Sequence, residues 1–486
     1  MLGFKRSFDS LTVNLQDSAP AAVPLRDAFE RQRQARDTLP APGHGERIAA
    51  LAALESMLRE EAGVICAAVD ADFQGRASEE TRLLELFPAL EAARHARRHL
   101  RSWMRPRRHA TSKWFVPGRS RVMPQPLGVV GIVVPWNYPV YLAVAPVISA
   151  LAAGNRVLVK MSEAAPRTGA LLARLVAARF DAALLSVVNG DAAVARDFVA
   201  LPFDHLLFTG STAVGRQVMR AAAENLTPVT LELGGKSPAI VGRSIDIAEA
   251  AGKIMFGKCL NAGQTCIAPD YALVPEERVE SFVAAAREAV ARMYPRLGDN
   301  PQYSSVVNER HRARLREWIE EARSAGARIE VLNPALEDLA RSPKVAPHLV
   351  LGAAAGTRVM REEIFGPILP VVAYRHVEDA IRYVNERPRP LALYVFDHDS
   401  GSVARVLERT VSGGATVNET LLHVGQEDLP FGGVGPSGMG EYHGRAGFDT
   451  FSKRKAVFYQ PRLNLLGWFR PPYGARFERL MRMLLR

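Results

Sequence analysis

The chain has 486 residues, of which 48% are hydrophobic and 23% are charged, and its formal net charge is +11. This composition is typical of a globular protein and excludes a disordered, collagen-like or disulfide-dense chain. The length predicts two or three domains with a cleft between them. Only 3 cysteines are present. Because so few cysteines form no disulfide framework, we expect a reducing, cytoplasmic environment.

Basic residues are concentrated between residues 94 and 121. Such a stretch can bind an anionic partner, or it can form a solvated helix face followed by a charged connector. The sequence has no zinc-binding spacing and no RNA-binding aromatic motif, so we expect no nucleic-acid partner and no metal site. No run of about 18 apolar residues occurs, so we expect no transmembrane helix.

Residues 25–110 are predicted to be helical, because apolar residues recur at intervals of three and four. From residue 126 onward, apolar strands alternate with helices. We expect strands at 127–134, 155–160, 183–189, 205–210 and 228–233, and helices at 139–153, 166–179, 191–199 and 212–223. This alternation predicts a doubly wound parallel sheet, in which ligands bind beyond the carboxyl ends of the strands.

A second α/β alternation is predicted from residue 236 to residue 435. Its strands are expected at 271–275, 368–374 and 391–396. The stretch 431–444 is so rich in glycine that we predict a loop, and a last strand is predicted at 455–459.

The C-terminal tail is basic and predicts an amphipathic helix over 475–486. Its apolar face is formed by Phe477, Leu480, Met481 and Leu484. Such a helix can lie weakly on an anionic membrane surface or pack on protein. We favour packing on the chain itself or on a second subunit.

The motif GQTC at 263–266 places Cys266 among small and polar residues. A cysteine in that setting can be an exposed thiolate nucleophile. A lone cysteine is more often a small residue of the core, so this interpretation depends on the other motifs.

Two polar residues stand where predicted strands end. Glu232 in LELGGKSP can act as a general base on water, or it can be an ordinary surface glutamate. Asn137 in PWNYP lies between two prolines, and its amide can donate to an oxyanion. The alternative for Asn137 is a structural cap on the following helix.

Three further motifs are typical of nucleotide contacts. FTGSTAVG at 208–215 leads from a strand into a helix, whose N-terminus can bind phosphate. KMSE at 160–163 and EEIFGP at 362–367 offer groups that can bind ribose hydroxyls and a nicotinamide ring. Each of these motifs is also compatible with an ordinary cap or turn.

Taken together and in this order, the six motifs resemble the aldehyde dehydrogenase superfamily over about residues 25–460. The resemblance implies that Cys266 attacks the aldehyde carbon and forms first a thiohemiacetal and then a thioester. It implies that the Asn137 amide and the backbone N–H of Cys266 bind the oxyanion. Glu232 is then the residue that activates water to hydrolyse the thioester.

The resemblance also implies an NAD cofactor, with NADP as the alternative. Glu163 favours NAD, because a 2′-phosphate would meet its carboxylate. The cofactor-binding residues that carry over are Trp136, Lys160, Glu163, Gly210, Ser211, Gly215, Glu363 and Phe365.

The motifs PWNYP, APDY at 268–271 and SGMGEYHG at 437–444 look like the class 3 branch of the family. Within it, GFDTFSKRKAVF and PPYG resemble bacterial coniferyl aldehyde dehydrogenases, which implies oxidation of coniferyl aldehyde to ferulate. Aliphatic or benzaldehyde-type aldehydes are the alternative substrates. A CoA-acylating or semialdehyde-reducing enzyme is disfavoured by Glu232, and an inactive scaffold is disfavoured by the intact set of motifs.

The fold implied is α/β, with a doubly wound NAD-binding domain, an α/β catalytic domain and a small β bridging arm that forms a homodimer. The expected boundaries are an N-terminal extension at 1–24, the dinucleotide-binding domain at 25–108 and 127–232, the catalytic domain at 233–435, the arm at 109–126 and 436–460, and the tail at 461–486.

Overall fold

The computed structural model describes residues 24–462, 464 and 466–485. Almost all of the expected N-terminal extension therefore lies outside the described residues. The described part of the chain begins with a layer of five helices, of which the last two are joined by a π-helical turn at Arg82–Leu86. These helices are α1 (Leu25–Thr38), α2 (His44–Glu60), α3 (Ala62–Phe73), α4 (Ser78–Thr81) and α5 (Phe87–Trp103).

The first large sheet has six strands, which we number by their order in the chain. They are β3 (Val129–Val133), β4 (Arg156–Lys160), β5 (Leu185–Val188), β6 (His205–Thr209), β7 (Val229–Glu232) and β15 (Gly438–Met439), in the spatial order β15-β7-β6-β3-β4-β5. All neighbours pair in parallel except β15 and β7. Strands β3, β4 and β6 are buried along their whole length, as expected for a parallel sheet covered on both faces.

Four helices connect the parallel strands of this sheet. They are α6 (Tyr141–Ala153), α7 (Pro166–Arg179), α8 (Ala192–Val199) and α9 (Thr212–Ala223). Helix α6 is buried on all sides because its sequence has no charged residue. The carboxyl ends of β3, β4, β6 and β7 lie side by side, so the segments that follow these strands meet at one edge.

The second large sheet has seven strands in the order β10-β11-β12-β9-β8-β13-β14. They are β8 (Pro238–Val241), β9 (Tyr271–Pro275), β10 (Arg328–Val331), β11 (His348–Leu351), β12 (Ile368–Tyr374), β13 (Ala392–Phe396) and β14 (Gly414–Val417). Its helices are α10 (Ile247–Cys259), α11 (Val279–Met293), α12 (Glu309–Ser324), α13 (Arg358–Arg361), α14 (Val377–Asn385) and α15 (Ser400–Arg409). Only the β10–β11 pair is antiparallel.

The third sheet is a small antiparallel arm with the strand order β1-β2-β16. Its strands are β1 (Arg107–His109), β2 (Arg119–Pro126) and β16 (Ser452–Tyr459), and α16 (Gly444–Thr450) precedes the last of them. The tail forms α17 (Ala475–Leu484), and the residues of its predicted apolar face are half-buried. Phe477 packs on Tyr473, with ring centroids 4.7 Å apart.

Three expectations need correction. The helical prediction for 25–110 fails at its end, because Arg107–His109 pairs with β2 as strand β1. The glycine-rich stretch 431–444 is not loop throughout, because Gly438 and Met439 pair with the edge of β7. Strands β8, β10, β11 and β14 were not predicted. They are four residues long, and two of them are only partly buried, so their apolar signal is weak.

The two large sheets share one contiguous hydrophobic core. Ile132 and Val159 of the first sheet belong to the same cluster as Val241 and Leu369 of the second, and Cys266 packs against it. The prediction of a doubly wound sheet, a second α/β unit and a small β arm is confirmed. No helix in the described part of the chain combines the length and apolar character needed to cross a membrane.

Candidate active site

Cys266 lies just after a tight turn that follows α10. Asn261, Ala262 and Gly263 have positive φ values of 50°, 50° and 74°. A Cβ atom at residue 263 would lie 2.3 Å from the carbonyl oxygen of Gly366, so only glycine fits there. Left-handed backbone at a non-glycine residue is costly and is concentrated at functional sites.

The side chain of Gln264 holds this turn in place. Its Nε2 donates to the carbonyl oxygens of Asn261 at 2.8 Å and Ser305 at 3.0 Å, and its Oε1 accepts from the N–H of Val307 at 2.9 Å. The side chain is completely buried. Gln264 of the GQTC motif therefore fixes the loop that presents Cys266, a role that the sequence analysis did not assign.

Asn137 lies beside this turn, on the segment that follows β3. Its Nδ2 donates to the carbonyl oxygen of Gln264 at 3.1 Å, and the residue is buried. An amide carries two N–H donors, so the second remains for a ligand near Cys266. The alternative role as a helix cap is wrong, because the N-cap residue of α6 is Val140 rather than Asn137.

Glu232 is the last residue of β7 and is buried. Within the described residues, neither oxygen of its carboxyl group has a hydrogen-bond partner. Burial, with a smaller contribution from the charge of Glu441, raises the pKa of Glu232 well above its usual range. A carboxylate with a raised pKa is a stronger base than an exposed one, which suits proton abstraction from water.

The thiol of Cys266 is half-buried and shares its environment with two carboxyl groups. Burial, together with the charges of Glu363 and Glu232, raises the pKa of Cys266 to about 12, while the N–H groups of Cys266 and Ile267 oppose the shift. The groups around this thiol therefore favour its protonated form at neutral pH. A base or a bound cation has to be present to generate the thiolate.

Glu363 approaches from the segment after α13. A Cβ atom at residue 234 would lie 2.2 Å from its carboxyl group, so Gly234 of LELGGKSP makes room for it. Burial and the charge of Asp270 raise the pKa of Glu363 to about 8, against the N–H of Gly235. Its Oε1 is buried without a hydrogen-bond partner among the described residues, and is thus available to a ligand.

Three charged residues, Lys236, Lys258 and Asp270, lie near Glu363 and influence its pKa. The sequence analysis did not predict this cluster. Lys236 Nζ lies 2.5 Å from Asp270 Oδ2, and Lys258 Nζ lies 3.7 Å from Asp270 Oδ1. Burial lowers the pKa of Lys258 to about 8. The available signals were a lysine inside the apolar stretch of α10 and the aspartate of APDY.

Lys160 ends β4, on the other side of β3 from β6. Its buried Nζ donates to the carbonyl oxygen of Gly190 at 2.7 Å and lies 3.6 Å from a carboxylate oxygen of the exposed Glu163. Desolvation lowers the pKa of Lys160. Lys160 and Glu163 therefore present an amine and a carboxylate together at the sheet edge.

Helix α9 begins beyond the carboxyl end of β6, where Gly210 leads into the N-cap Ser211. The Ser211 hydroxyl accepts from the N–H of Val214 at 3.4 Å. Gly215 packs against the segment after β7, since a Cβ atom there would lie 2.7 Å from Leu233 Cδ2. Close packing thus directs the N-terminus of a twelve-residue helix to the same sheet edge.

Two aromatic residues flank the site. The rings of Trp136 and Phe365 meet edge to face with centroids 5.3 Å apart, although the two residues are far apart in sequence. Phe365 has a φ of 49°, a left-handed conformation. The structure thus brings together Asn137, Glu232, Cys266 and Glu363 with this aromatic pair, while Lys160, Glu163, Gly210 and Ser211 lie along the adjoining sheet edge.

Comparison with known proteins identifies the family. The model of the "Aldehyde dehydrogenase family" matches residues 13–457. A "Probable coniferyl aldehyde dehydrogenase" of Pseudomonas aeruginosa is 51% identical over 467 residues, covering 96% of this chain and 97% of the relative. The "Coniferyl aldehyde dehydrogenase" of a Pseudomonas species is 46% identical over 479 residues, covering 97% of this chain and 98% of that relative.

Solved structures agree with these relatives. The substrate-bound state of Staphylococcus aureus AldH has a TM-score of 0.89 and 34% identity, covering 95% of this chain and 99% of that one. A Mycobacterium tuberculosis aldehyde dehydrogenase complexed with NAD+ has a TM-score of 0.81 and 30% identity, covering 90% of this chain and 93% of that one. The resemblance stated from the motifs is confirmed: the chain belongs to the aldehyde dehydrogenase family.

Proposed function

We propose that this enzyme oxidises coniferyl aldehyde to ferulate, with NAD as the hydride acceptor and Cys266 as the nucleophile. One observation carries the mechanism. The Cys266 thiol shares a buried environment with the Glu232 carboxyl group, and the Asn137 amide is hydrogen-bonded to the loop that carries Cys266. The substrate is supported by relatives with that name at 46–51% identity over nearly the whole chain.

In the first step the Cys266 thiolate attacks the aldehyde carbon. A C–S bond forms, and the carbonyl oxygen takes the negative charge. One N–H of the Asn137 amide donates to the carbonyl oxygen of Gln264, and we assign the other to the oxyanion. The backbone N–H of Cys266 is the second donor. Fixed donors of this kind typically lower the barrier by about 3–4 kcal/mol each.

The thioester is then hydrolysed with the help of Glu232. Its carboxylate removes a proton from water, whose oxygen attacks the thioester carbon as the C–S bond breaks and Cys266 leaves as the thiolate. The carboxylate has no competing hydrogen bond within the described residues, so it is free to bind that water.

The residues at the sheet edge fit a dinucleotide. Glu363 offers a buried carboxyl oxygen without a partner among the described residues, beside Gly234 after β7, and Lys160 offers a buried amine at the end of β4. Helix α9 presents its N-terminus after β6, which lies between β7 and β4 in the sheet. Glu363 and Lys160 would bind the two riboses, Ser211 with Gly210 and Gly215 the diphosphate, and Trp136 with Phe365 would flank the nicotinamide. When bound, the oxidised cofactor accepts a hydride from the carbon attached to Cys266.

NAD is favoured over NADP. The carboxylate of Glu163 lies 3.6 Å from the amine of Lys160, which we assign to the adenosine ribose. A 2′-phosphate there would gain the lysine but meet the glutamate, whereas a ribose hydroxyl can donate to the carboxylate.

We assign the arm to homodimer formation. Strand β16 lies at the edge of the small sheet, and Trp114, Phe458 and Tyr459 near it are 61%, 45% and 47% exposed. An exposed strand edge beside apolar side chains is suited to pairing with a second copy.

The half-buried face of α17 is assigned to packing on the chain or on the partner subunit.

The test is NADH formation by the purified enzyme with coniferyl aldehyde, benzaldehyde, a long-chain aliphatic aldehyde and acetaldehyde. The highest kcat/KM is expected for coniferyl aldehyde, and Cys266→Ala should be inactive while binding NAD normally. A preference for the long-chain aldehyde would replace the substrate but keep the mechanism. That second candidate is favoured by a 38% identical "4,4'-diaponeurosporen-aldehyde dehydrogenase" of Staphylococcus aureus.

A further inference from the structure

A buried group of three charged residues lies beneath the candidate active site. It consists of Arg76, Glu80 and Glu85, whose side chains are 0%, 7% and 0% exposed. None of them is among the residues proposed above to bind the substrate or the cofactor. We propose that Arg76 is a positioning residue that holds the Asn137 loop against the Cys266 loop in the geometry needed for oxyanion binding; this rests on the function proposed above for Asn137.

The guanidinium group contacts the Asn137 loop directly. Its Nη1 donates to the carbonyl oxygen of Asn137 at 3.3 Å, which is the one hydrogen bond that this group donates within the described residues. The same cation lies 4.9 Å from the ring centroid of Tyr138. Arg76 therefore holds both the backbone of Asn137 and the side chain of the next residue.

Glu85 holds the end of the same loop. Its Oε2 accepts from the N–H groups of Val140 at 2.8 Å and Tyr141 at 3.2 Å, where α6 begins. Its Oε1 lies 3.9 Å from Arg76 Nη2. The loop from Asn137 to Tyr141 is thus held at both ends by one ion pair.

Glu80 extends the network to the Cys266 loop. Its Oε2 lies 3.5 Å from Arg76 Nε and accepts from the N–H of Asn261 at 3.0 Å. Asn261 in turn donates from Nδ2 to the carbonyl oxygen of Asn137 at 2.9 Å. The carbonyl of Asn137 therefore receives one donor from Arg76 and one from the turn before Cys266.

The cost of this network argues for a role beyond stability. Burial raises the pKa of both Glu80 and Glu85, and only the charge of Arg76 and local hydrogen bonds oppose the shift. A buried ion pair can often be replaced by apolar residues without loss of stability. The position of the Asn137 loop matters more to catalysis than to stability. A shift of about 1 Å in a catalytic group can lower the rate about 100-fold.

The test is a double-mutant cycle with Arg76→Met and Asn137→Ala. The readout is the single-turnover rate of NADH formation, measured together with the Kd for NAD and the urea midpoint of unfolding. We expect Asn137→Ala to lower the rate about 100-fold or more, and Arg76→Met about tenfold with an unchanged Kd for NAD. In the double variant, Arg76→Met should add less than about twofold, because its effect acts through Asn137.

The matched control is Arg47→Met. Arg47 is also buried, and it donates to the carbonyl oxygens of Pro42 and Ala152 rather than to either loop. It should lower the urea midpoint without a tenfold loss of rate. If Arg76→Met has no larger effect on the rate than Arg47→Met, or if the cycle is additive, the positioning role is overturned.

Two further outcomes are distinguishable. If Asn137→Ala leaves the rate unchanged, the proposed oxyanion function fails and the positioning role fails with it.

If Arg76→Met does not fold, Arg76→Lys replaces it in the cycle. The single ammonium group of a lysine cannot contact both carboxylates and the carbonyl oxygen of Asn137. We therefore expect Arg76→Lys to lower the single-turnover rate about threefold, and to have no such effect in the Asn137→Ala background. A wild-type rate for Arg76→Lys would overturn the proposal.

Discussion

At the scale of single residues, the proposed nucleophile Cys266 lies beside carboxyl groups rather than beside a cation. Glu363 and Glu232 both raise the pKa of the Cys266 thiol, after the larger effect of burial. Both effects favour the protonated thiol over the thiolate. The positively charged nicotinamide that we propose to lie nearby would favour the thiolate, so we expect cofactor binding to promote activation of Cys266.

Replacing Glu363 should show how strongly its charge raises the pKa of the Cys266 thiol. Glu363 itself has a pKa of about 8, so at about pH 9 it is mostly ionised and opposes ionisation of Cys266. In Glu363→Gln the pKa of the thiol falls, and alkylation of the cofactor-free enzyme by iodoacetamide should be several-fold faster at that pH. In both proteins the rate should rise from pH 7 to pH 10, since the thiol pKa lies above this range.

The control for this measurement is Glu362→Gln, because Glu362 is adjacent but exposed. Equal alkylation rates in Glu363→Gln and the wild type would show that the charge of Glu363 does not act on the thiol.

Replacing Glu232 should separate the two halves of the reaction. Without a carboxylate to accept a proton from water, Glu232→Gln should form the thioester but hydrolyse it slowly, by about 100-fold or more. The measurement is acyl-enzyme detected by intact mass spectrometry after mixing with aldehyde and NAD. An unchanged steady-state rate, without accumulation of acyl-enzyme, would remove Glu232 from the mechanism.

At the scale of elements, the ends of strands and the start of one helix form the site. Strands β3, β4, β6 and β7 are adjacent, so the polar residues after them converge although they are up to about a hundred positions apart in the sequence. Helix α9 joins them because Gly215 lets it pack closely against Leu233. The proposed diphosphate contact thus depends on helix packing as well as on Ser211.

Gly215→Ala tests this packing. The added Cβ atom would lie 2.7 Å from Leu233 Cδ2, so α9 or Leu233 has to move. Overpacking of this kind destabilises a fold by about 1 kcal/mol or more. Where α9 moves to relieve it, a loss of about 1 kcal/mol in cofactor binding would raise the KM for NAD about fivefold. Gly252→Ala in α10 is the control, because no atom lies within 4 Å of the added carbon. An unchanged KM for NAD in Gly215→Ala would contradict the assignment of α9.

At the scale of the whole molecule, the arm exposes apolar side chains that the rest of the fold does not cover. Trp114 is 61% exposed, and its one ring contact among the described residues is the Lys113 amine, 4.8 Å from the ring centroid. Exposed tryptophan is unfavourable in a monomer and typical of interface anchors. This placement supports assembly through the arm.

Trp114→Asp should therefore weaken the proposed dimer. Sedimentation velocity at micromolar concentration is expected to show a shift from dimer to monomer, because a charge would be buried at the interface. Thermal unfolding of the isolated monomer should change little, since the side chain is exposed there. Leu226→Asp is the control, because Leu226 is 89% exposed outside the arm. A Trp114→Asp variant that remains dimeric would place the interface elsewhere.

Local sequence pattern determined much of the architecture. Apolar runs and helical periodicity depend on neighbouring residues alone, so the helices Pro166–Arg179 and Thr212–Ala223 and the strand Ile368–Tyr374 match their predicted bounds. The motifs that stand at strand ends could be assigned because parallel topology places all carboxyl ends at one edge. The family followed from the order of those motifs.

Tertiary structure decided what depends on distant partners. Gly438 and Met439 form a strand only because β7 offers a free edge, and Arg107–His109 only because β2 lies beside it. The role of Asn137, the raised pKa of Cys266 and the network of Arg76 depend on groups brought together through space. Hydrogen bonds and electrostatic shifts act over a few ångströms in space rather than along the chain, so no pattern of neighbouring residues encodes them.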